Sequence, residues 1–144
     1  MSENLIICIG NIARGDDGVA HAVAALLRSA GIEVIEDTAL DITHAAEAAE
    51  STAVVVVDAA RRTAPAVTVE EVAPTDVDPS TVHGMASGAL LGIVRSLYNA
   101  DPPVWLVSVA APEMERGEGL SETAEAASKE ATSVIIGLVE SGRF

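Results

Sequence analysis

Four residues of this chain have the types and places from which chemistry is built. Asp16 and Asp17 close the turn Gly10-Asn11-Ile12-Ala13-Arg14-Gly15-Asp16-Asp17-Gly18, which follows an apolar run. Asp58 ends the run Val54-Val55-Val56-Val57, and His83-Gly84 stands just ahead of an apolar, helix-like stretch. Two carboxylates and one imidazole suit a borderline divalent ion and leave coordination positions open. Without thiolates, such a set holds its ion less tightly than a closed structural zinc site. Each residue also has a plainer reading: Asp17 as a solvated first-turn acid, Asp58 as a loop-forming acid, His83 as an exposed imidazole. Asp16 is well placed to cap the helix that follows, which makes Asp17 the spare carboxylate. His21 and His44 fall inside expected helices and read as ordinary helix residues.

Other chemistries fail on the same residues. Gly10 and Gly15 match the outer glycines of a phosphate loop, but the next positions are Asp16 and Asp17 where that loop needs Lys and a hydroxyl. Carboxylates there stand in the place of the anion. No G-x-G-x-x-G occurs, and no Ser or Cys sits in a nucleophile elbow beside a base. Cys8, the single cysteine, lies within Leu5-Ile6-Ile7-Cys8-Ile9 and reads as an inert core thiol.

The elements that must position these side chains are written in the hydropathy pattern. Leu5 to Ile9, Ala53 to Val57 and Val104 to Val109 are β-branched apolar runs, the signature of strands buried on both faces of a parallel sheet. Residues 32–35 and 67–72 alternate, as half-exposed strands do. Helices are expected from Asp17 to Ala30, Asp41 to Ala49, Ala86 to Asn99 and Ser121 to Ser141. The alternation implies an α/β protein, a three-layer α/β/α sandwich on a mostly parallel sheet of about five strands. In such sheets ligands bind beyond the carboxyl ends of the strands. The loop after the first strand, the end of the third and the start of the third helix all belong to that edge, so Asp17, Asp58 and His83 can converge on one rim. The long irregular stretch from Ala73 to Met85 has the length of a functional loop.

Composition sets the class. The 144 residues fit one domain, 1–144, with no linker and no repeat. Twenty-two acids against 8 basic residues give a net charge of −14, which repels nucleic-acid backbones. The N-terminus carries no basic, apolar leader, no apolar run reaches the ~18 residues of a membrane span, and a lone cysteine forms no internal disulfide. A cytoplasmic monomer that meets neither membrane nor nucleic acid is expected.

These residues resemble the hydrogenase maturation endopeptidases. The likeness is carried by Leu5-Ile6-Ile7-Cys8-Ile9-Gly10-Asn11 with Gly15-Asp16-Asp17-Gly18-Val19, by Val54 to Val57 with Asp58-Ala59, and by His83-Gly84 before a helix. Leu106-Val107-Ser108-Val109, Pro112-Glu113 and Gly119-Leu120-Ser121 match that family's last strand, Pro-Glu segment and final helix entry, so the resemblance spans most of the chain. It implies an endopeptidase that removes the C-terminal extension of a nickel–iron hydrogenase large-subunit precursor once nickel is in place. It also implies that Asp17, Asp58 and His83 are the metal contacts and the catalytic residues, with nickel supplied by the substrate and cadmium or zinc able to substitute. The family's first-loop ligand is often Glu, so Asp17 reaches one methylene less far, and Asp16 is the substitute. The metal either takes part in cleavage or serves as a recognition point. Where the family has Asp-Gly-Gly-Thr-x-Gly, this chain has Glu36-Asp37-Thr38-Ala39-Leu40. That departure keeps a second reading open: a docking or maturation-accessory protein that retains the metal site without cleavage.

Overall fold

The computed structural model describes residues 3–75 and 85–144. Its elements, in chain order, are β1 (Asn4–Ile9), α1 (Val19–Ser29), β2 (Ile35–Asp37), α2 (Ala45–Ala49), β3 (Ala53–Ala60), β4 (Val67–Glu71), α3 (Ser87–Tyr98), β5 (Val104–Ala110) and α4 (Glu122–Glu140). The five strands form one sheet in the order β2-β1-β3-β5-β4. β1 pairs in parallel with β2 and β3, and β3 in parallel with β5. β4 is antiparallel to β5 at the edge. Only residues 61–66 separate β3 from β4, too few for the crossover that a parallel partner requires.

Side-chain alternation sorts the sheet into two faces. Ile6 and Cys8 of β1, Val55 and Val57 of β3, and Val107 and Val109 of β5 pack with α1 and α4. Leu5, Ile7, Ile9, Val54, Val56 and Val104 pack with α2 and α3 on the other face. Both faces are closed, which gives the α/β/α sandwich expected from the strand runs. Each fully buried Val, Leu or Ile contributes roughly 1.5–3 kcal/mol relative to exposure. No helix among the described residues is long and apolar enough to cross a membrane.

Three boundaries differ from the sequence expectation, and each bears on the site. The second strand lies at Ile35–Asp37 instead of 32–35, because the register with β1 pairs Ile7 with Ile35 and Ile9 with Asp37. Ile32 and Val34 pack instead against the α1/α4 core. The first helix begins at Val19, so Asp16 and Asp17 lie ahead of it. They belong to short 3-10 turns over Ile12–Gly18, broken at Arg14 and Gly15. β3 runs two residues past Asp58, to Ala60.

With β1, β3 and β5 parallel, their carboxyl ends share one edge. There the loops after β1, β2, β3 and β5 gather. Met85, just ahead of α3, donates its backbone N–H to the Leu40 carbonyl in the loop after β2, which brings the entry of α3 to the same edge.

Candidate functional site

The first loop is held by its glycines and its own carboxylates. Gly10 has φ +149°, and a side chain there would stand 2.0 Å from the Asp17 backbone oxygen. The loop therefore packs residue 17 directly onto the end of β1. Asn11 accepts from the Ala13 N–H at 2.9 Å and donates its own N–H to Asp17 Oδ2 at 3.0 Å. Asp17 is thus oriented by the chain it follows.

Asp16 does something else. It is buried, and its carboxylate accepts from the Glu113 N–H at 2.8 Å and from the Ser121 N–H and hydroxyl, both at 2.7 Å. Ser121 in turn accepts from the Ala124 N–H at 3.2 Å as the N-cap of α4. The expected cap of α1 is absent: its N-cap is Gly18, with no side-chain bond. Asp16 instead ties the first loop to the loop after β5, so Asp17 alone of the pair remains for ligand contact.

Asp58 lies near the carboxyl end of β3, half-buried, with the Ala59 N–H donating to Oδ1 at 2.8 Å. Its place in the alternation puts it on the α2/α3 face of the sheet, the side from which α3 enters. Burial pushes its carboxyl up to about 6; the Ala59 N–H opposes this, and the charge of Asp17 adds to it. That last contribution shows that the two carboxylates lie within electrostatic reach. The structure thus brings Asp17 and Asp58 to one edge. His83, and with it most of the long loop before Met85, lies outside the described residues.

Both remaining histidines are more than helix filler, contrary to the sequence reading. His21 projects from α1 to Glu36 Oε1 at 2.8 Å and to the Gly10 carbonyl at 2.7 Å. His44 is buried and completes a capping box with Asp41, its Nδ1 accepting from the Asp41 N–H at 3.0 Å. Its Nε2 faces Asp37 Oδ2 at 3.2 Å. Asp37, Asp41 and His44 each bring one possible ligand atom within 4.8 Å of the others. As a cation site the trio is compromised by its own hydrogen bonds. With Nδ1 accepting, the neutral ring carries its proton on Nε2 and donates it to Asp37, which leaves the imidazole no lone pair for an ion.

The rim of this edge is charged and open. Arg14 and Arg61 both reach Glu115, at 3.1 and 2.7 Å, so the first loop, the end of β3 and the loop after β5 share one exposed ion-pair network. Hydrogen bonds from Arg61 and Arg14 hold the Glu115 carboxyl below its usual range. Ile12 and Ile42, on the loops after β1 and β2, expose apolar side chains to solvent. A cleft of about 1040 Å³ lies at the opposite edge, lined by residues such as Glu3, Arg28, Glu33 and Glu50. None of the candidate site residues lines it; its walls mix the acids with Arg28 and the apolar Ile32, Val34 and Ile35.

Sequence reasoning missed Glu36, His21 and the staple role of Asp16. Their partners are far apart in the chain, and only the parallel register brings β2 and α1 under the first loop.

No family model and no curated protein matches the sequence. Solved structures do match in three dimensions. The NiFe hydrogenase maturation protease HybD from Thermococcus kodakarensis superposes with a TM-score of 0.72 at 19% identity, covering 96% of this chain and 99% of that one. The hydrogenase maturating endopeptidase HybD from E. coli gives 0.72 at 19% identity over 99% and 94% of the two chains. The endopeptidase HycI from Escherichia coli gives 0.69 at 18% identity over 96% and 91%. With identities this low the likeness is one of architecture, and it extends over nearly the whole of both chains: this protein has the fold of the hydrogenase maturation proteases.

Proposed function

We propose that the chain is an endopeptidase that removes the C-terminal extension of a nickel–iron hydrogenase large-subunit precursor after nickel insertion, acting as a cytoplasmic monomer. The observation that carries this reading is the placement of Asp17, in the loop after β1, and Asp58, near the end of β3, at one carboxyl edge, with the charge of Asp17 adding to the raised Asp58 carboxyl. Two neighbouring anions without a cation between them repel each other, and a cation relieves both. His83 supplies the third contact. Two oxygens and a nitrogen leave an ion unsaturated, so nickel already held by the precursor's thiolates can accept all three.

Asp58 has a second capacity. In the metal-free chain its carboxyl, raised to about 6, is ionised at neutral pH yet takes up a proton readily; contact with a cation lowers that value and leaves the group a ligand. Asp17, turned toward the loop by the Asn11 N–H, is the orienting contact. The solved proteins of this fold that are named as hydrogenase maturation proteases favour the same precursor.

The test is incubation with nickel-loaded and nickel-free cognate precursor, resolving the released fragment. The loaded form is expected to be cut and the unloaded form left intact, with Asp17→Ala and Asp58→Ala each abolishing cleavage. Equal cutting of both forms removes metal sensing. Binding of the loaded precursor without any cleavage replaces the endopeptidase with the docking protein that the missing glycine loop at Glu36-Asp37-Thr38 already suggests.

A further inference from the structure

We infer that His21 is a positioning residue for Asp17, acting through the Gly10–Asn11 peptide group. The inference deepens the reading above and rests on it for its catalytic consequence, although the geometry stands by itself. His21 Nδ1 lies 2.8 Å from Glu36 Oε1, and Nε2 lies 2.7 Å from the Gly10 carbonyl oxygen. A carbonyl oxygen only accepts. So does an ionised carboxylate, and Glu36 is ionised: burial pushes its carboxyl up, but hydrogen bonds from Arg28 and His21 outweigh this and hold it below its usual range. Nε2 therefore donates to the Gly10 carbonyl, and the ring lies between that oxygen and the Glu36 carboxylate.

The carbonyl that His21 grips belongs to the peptide whose N–H, on Asn11, donates to Asp17 Oδ2 at 3.0 Å. A polar chain thus runs from Arg28 through Glu36, the ring and the peptide to the candidate ligand. Drawing electron density toward the carbonyl oxygen makes the peptide N–H a stronger donor, and linked hydrogen bonds reinforce one another. The chain has little slack. The Gly10 N–H is held by the Asp37 carbonyl at 3.1 Å, and the Asp17 backbone oxygen fills the space where a side chain on Gly10 would stand. Arg28, on the same helix, is paired with Glu36. Cys8 on β1 is a neutral thiol, pushed up to about 12 by burial and by Glu36, against the opposing effect of Arg28. Outer partners that orient metal-contacting groups are worth about 10–100-fold in affinity or activity, and His21 holds such a place here.

The experiment uses the metal-free full chain with labelled histidine and backbone nitrogen, comparing wild type with His21→Gln, Glu36→Gln and, as a remote core control, Ile135→Val. In wild type, nitrogen spectra of His21 are expected to show a hydrogen-bonded proton on Nε2, and the Asn11 amide to exchange slowly. In His21→Gln, whose amide reaches one acceptor but not both, the Asn11 amide should shift and exchange faster; Glu36→Gln, which loosens the ring's second contact, should move the same amide in the same direction by less. Ile135→Val, with a comparable or larger loss of melting temperature, should change neither. Against nickel-loaded precursor, His21→Gln should lower cleavage about 10–100-fold. A His21 ring without a proton on Nε2, or an Asn11 amide indifferent to His21→Gln, overturns the inference. If the amide responds as expected but wild type itself cuts no precursor, the positioning chain stands and the endopeptidase reading falls.

Discussion

Asp58 follows four buried valines, Val54 to Val57, and its half-buried place follows from the strand's alternation. Its carboxyl, normally near 3.8, is raised to about 6, so the folded chain holds this proton more tightly than the unfolded chain does. The sign follows. Above pH 6 the ionised group works against folding; as pH falls from 6 toward 3.8 the penalty fades, and below 3.8 it is gone. In the metal-free protein Asp58→Asn should therefore stabilise the fold by about 2–3 kcal/mol at pH 7.5 and confer almost nothing at pH 4, while abolishing cleavage. Urea unfolding at the two pH values checks this, and an Asn variant less stable than wild type at pH 7.5 contradicts the cause assigned to the shift. Asp16 behaves in the opposite way. Its carboxylate meets three donors, whereas an amide offers one oxygen, so Asp16→Asn should cost about 2–4 kcal/mol. That outcome replaces the cap-sized loss that the local sequence suggests. The contrast shows what was legible. Asp17 and Asp58 could be assigned to one edge because one lies in the loop after a parallel strand and the other near the carboxyl end of another, a rule of local pattern. The partners of Asp16 lie 97 and 105 residues away, and nothing in a residue's neighbourhood encodes a contact that distant.

The strands buried on both faces announced themselves as unbroken apolar runs, and α3 and α4 as periodic ones, because burial dictates composition wherever it is complete. β2 is three residues long with only partly buried residues, so its pattern is weak, and register with β1 decides where it lies. α3 carries a subtler signal. Gly88 and Gly92 stand one turn apart on a helix that begins at Ser87, where propensity alone favours Ala by about 1 kcal/mol per position. The chain at residues 73–75 crosses that face: a side-chain carbon on Gly92 would stand 2.4 Å from the Thr75 carbonyl oxygen, and one on Gly88 2.8 Å from that of Ala73. Sterics should overcome propensity here. Gly92→Ala is expected to destabilise by about 1–3 kcal/mol, whereas Gly137→Ala on α4, with nothing within 4 Å, should stabilise by roughly 0.5–1 kcal/mol. Denaturant midpoints of the two variants read the difference directly. Two gains would mean that residues 73–75 do not pack on α3, and the segment leading toward His83 would lose its anchor.

A chain with net charge −14 carries its acids on a fold whose interior is almost wholly Val, Ile, Leu and Ala, so hydrophobic closure of both sheet faces has to overcome a standing self-repulsion. Two electrostatic effects then compete when salt is added. Screening weakens the surface ion pairs, among them Arg14 and Arg61 with Glu115, Arg95 with Asp101 and Lys129 with Glu125. Exposed pairs of this kind contribute about 0–1 kcal/mol each and often nothing measurable. Screening also relieves the repulsion among the unpaired acids, which is summed over the whole surface and acts at separations near the Debye length of ~10 Å at 0.1 M. With 22 acids and only 8 bases to pair them, the second effect is the larger. Raising sodium chloride from about 20 to about 500 mM should therefore increase the urea midpoint, by a stability gain on the order of 1 kcal/mol. Urea is the right denaturant because it is uncharged and leaves the screening to the salt. The Arg14→Gln and Arg61→Gln variants should widen the gain, since each makes the net charge more negative. A midpoint that falls with salt would instead mean that the ion pairs joining the first loop, the end of β3 and the loop after β5 hold the carboxyl edge together. The rim around Asp17 and Asp58 would then be the part of the molecule that opens first as ionic strength rises.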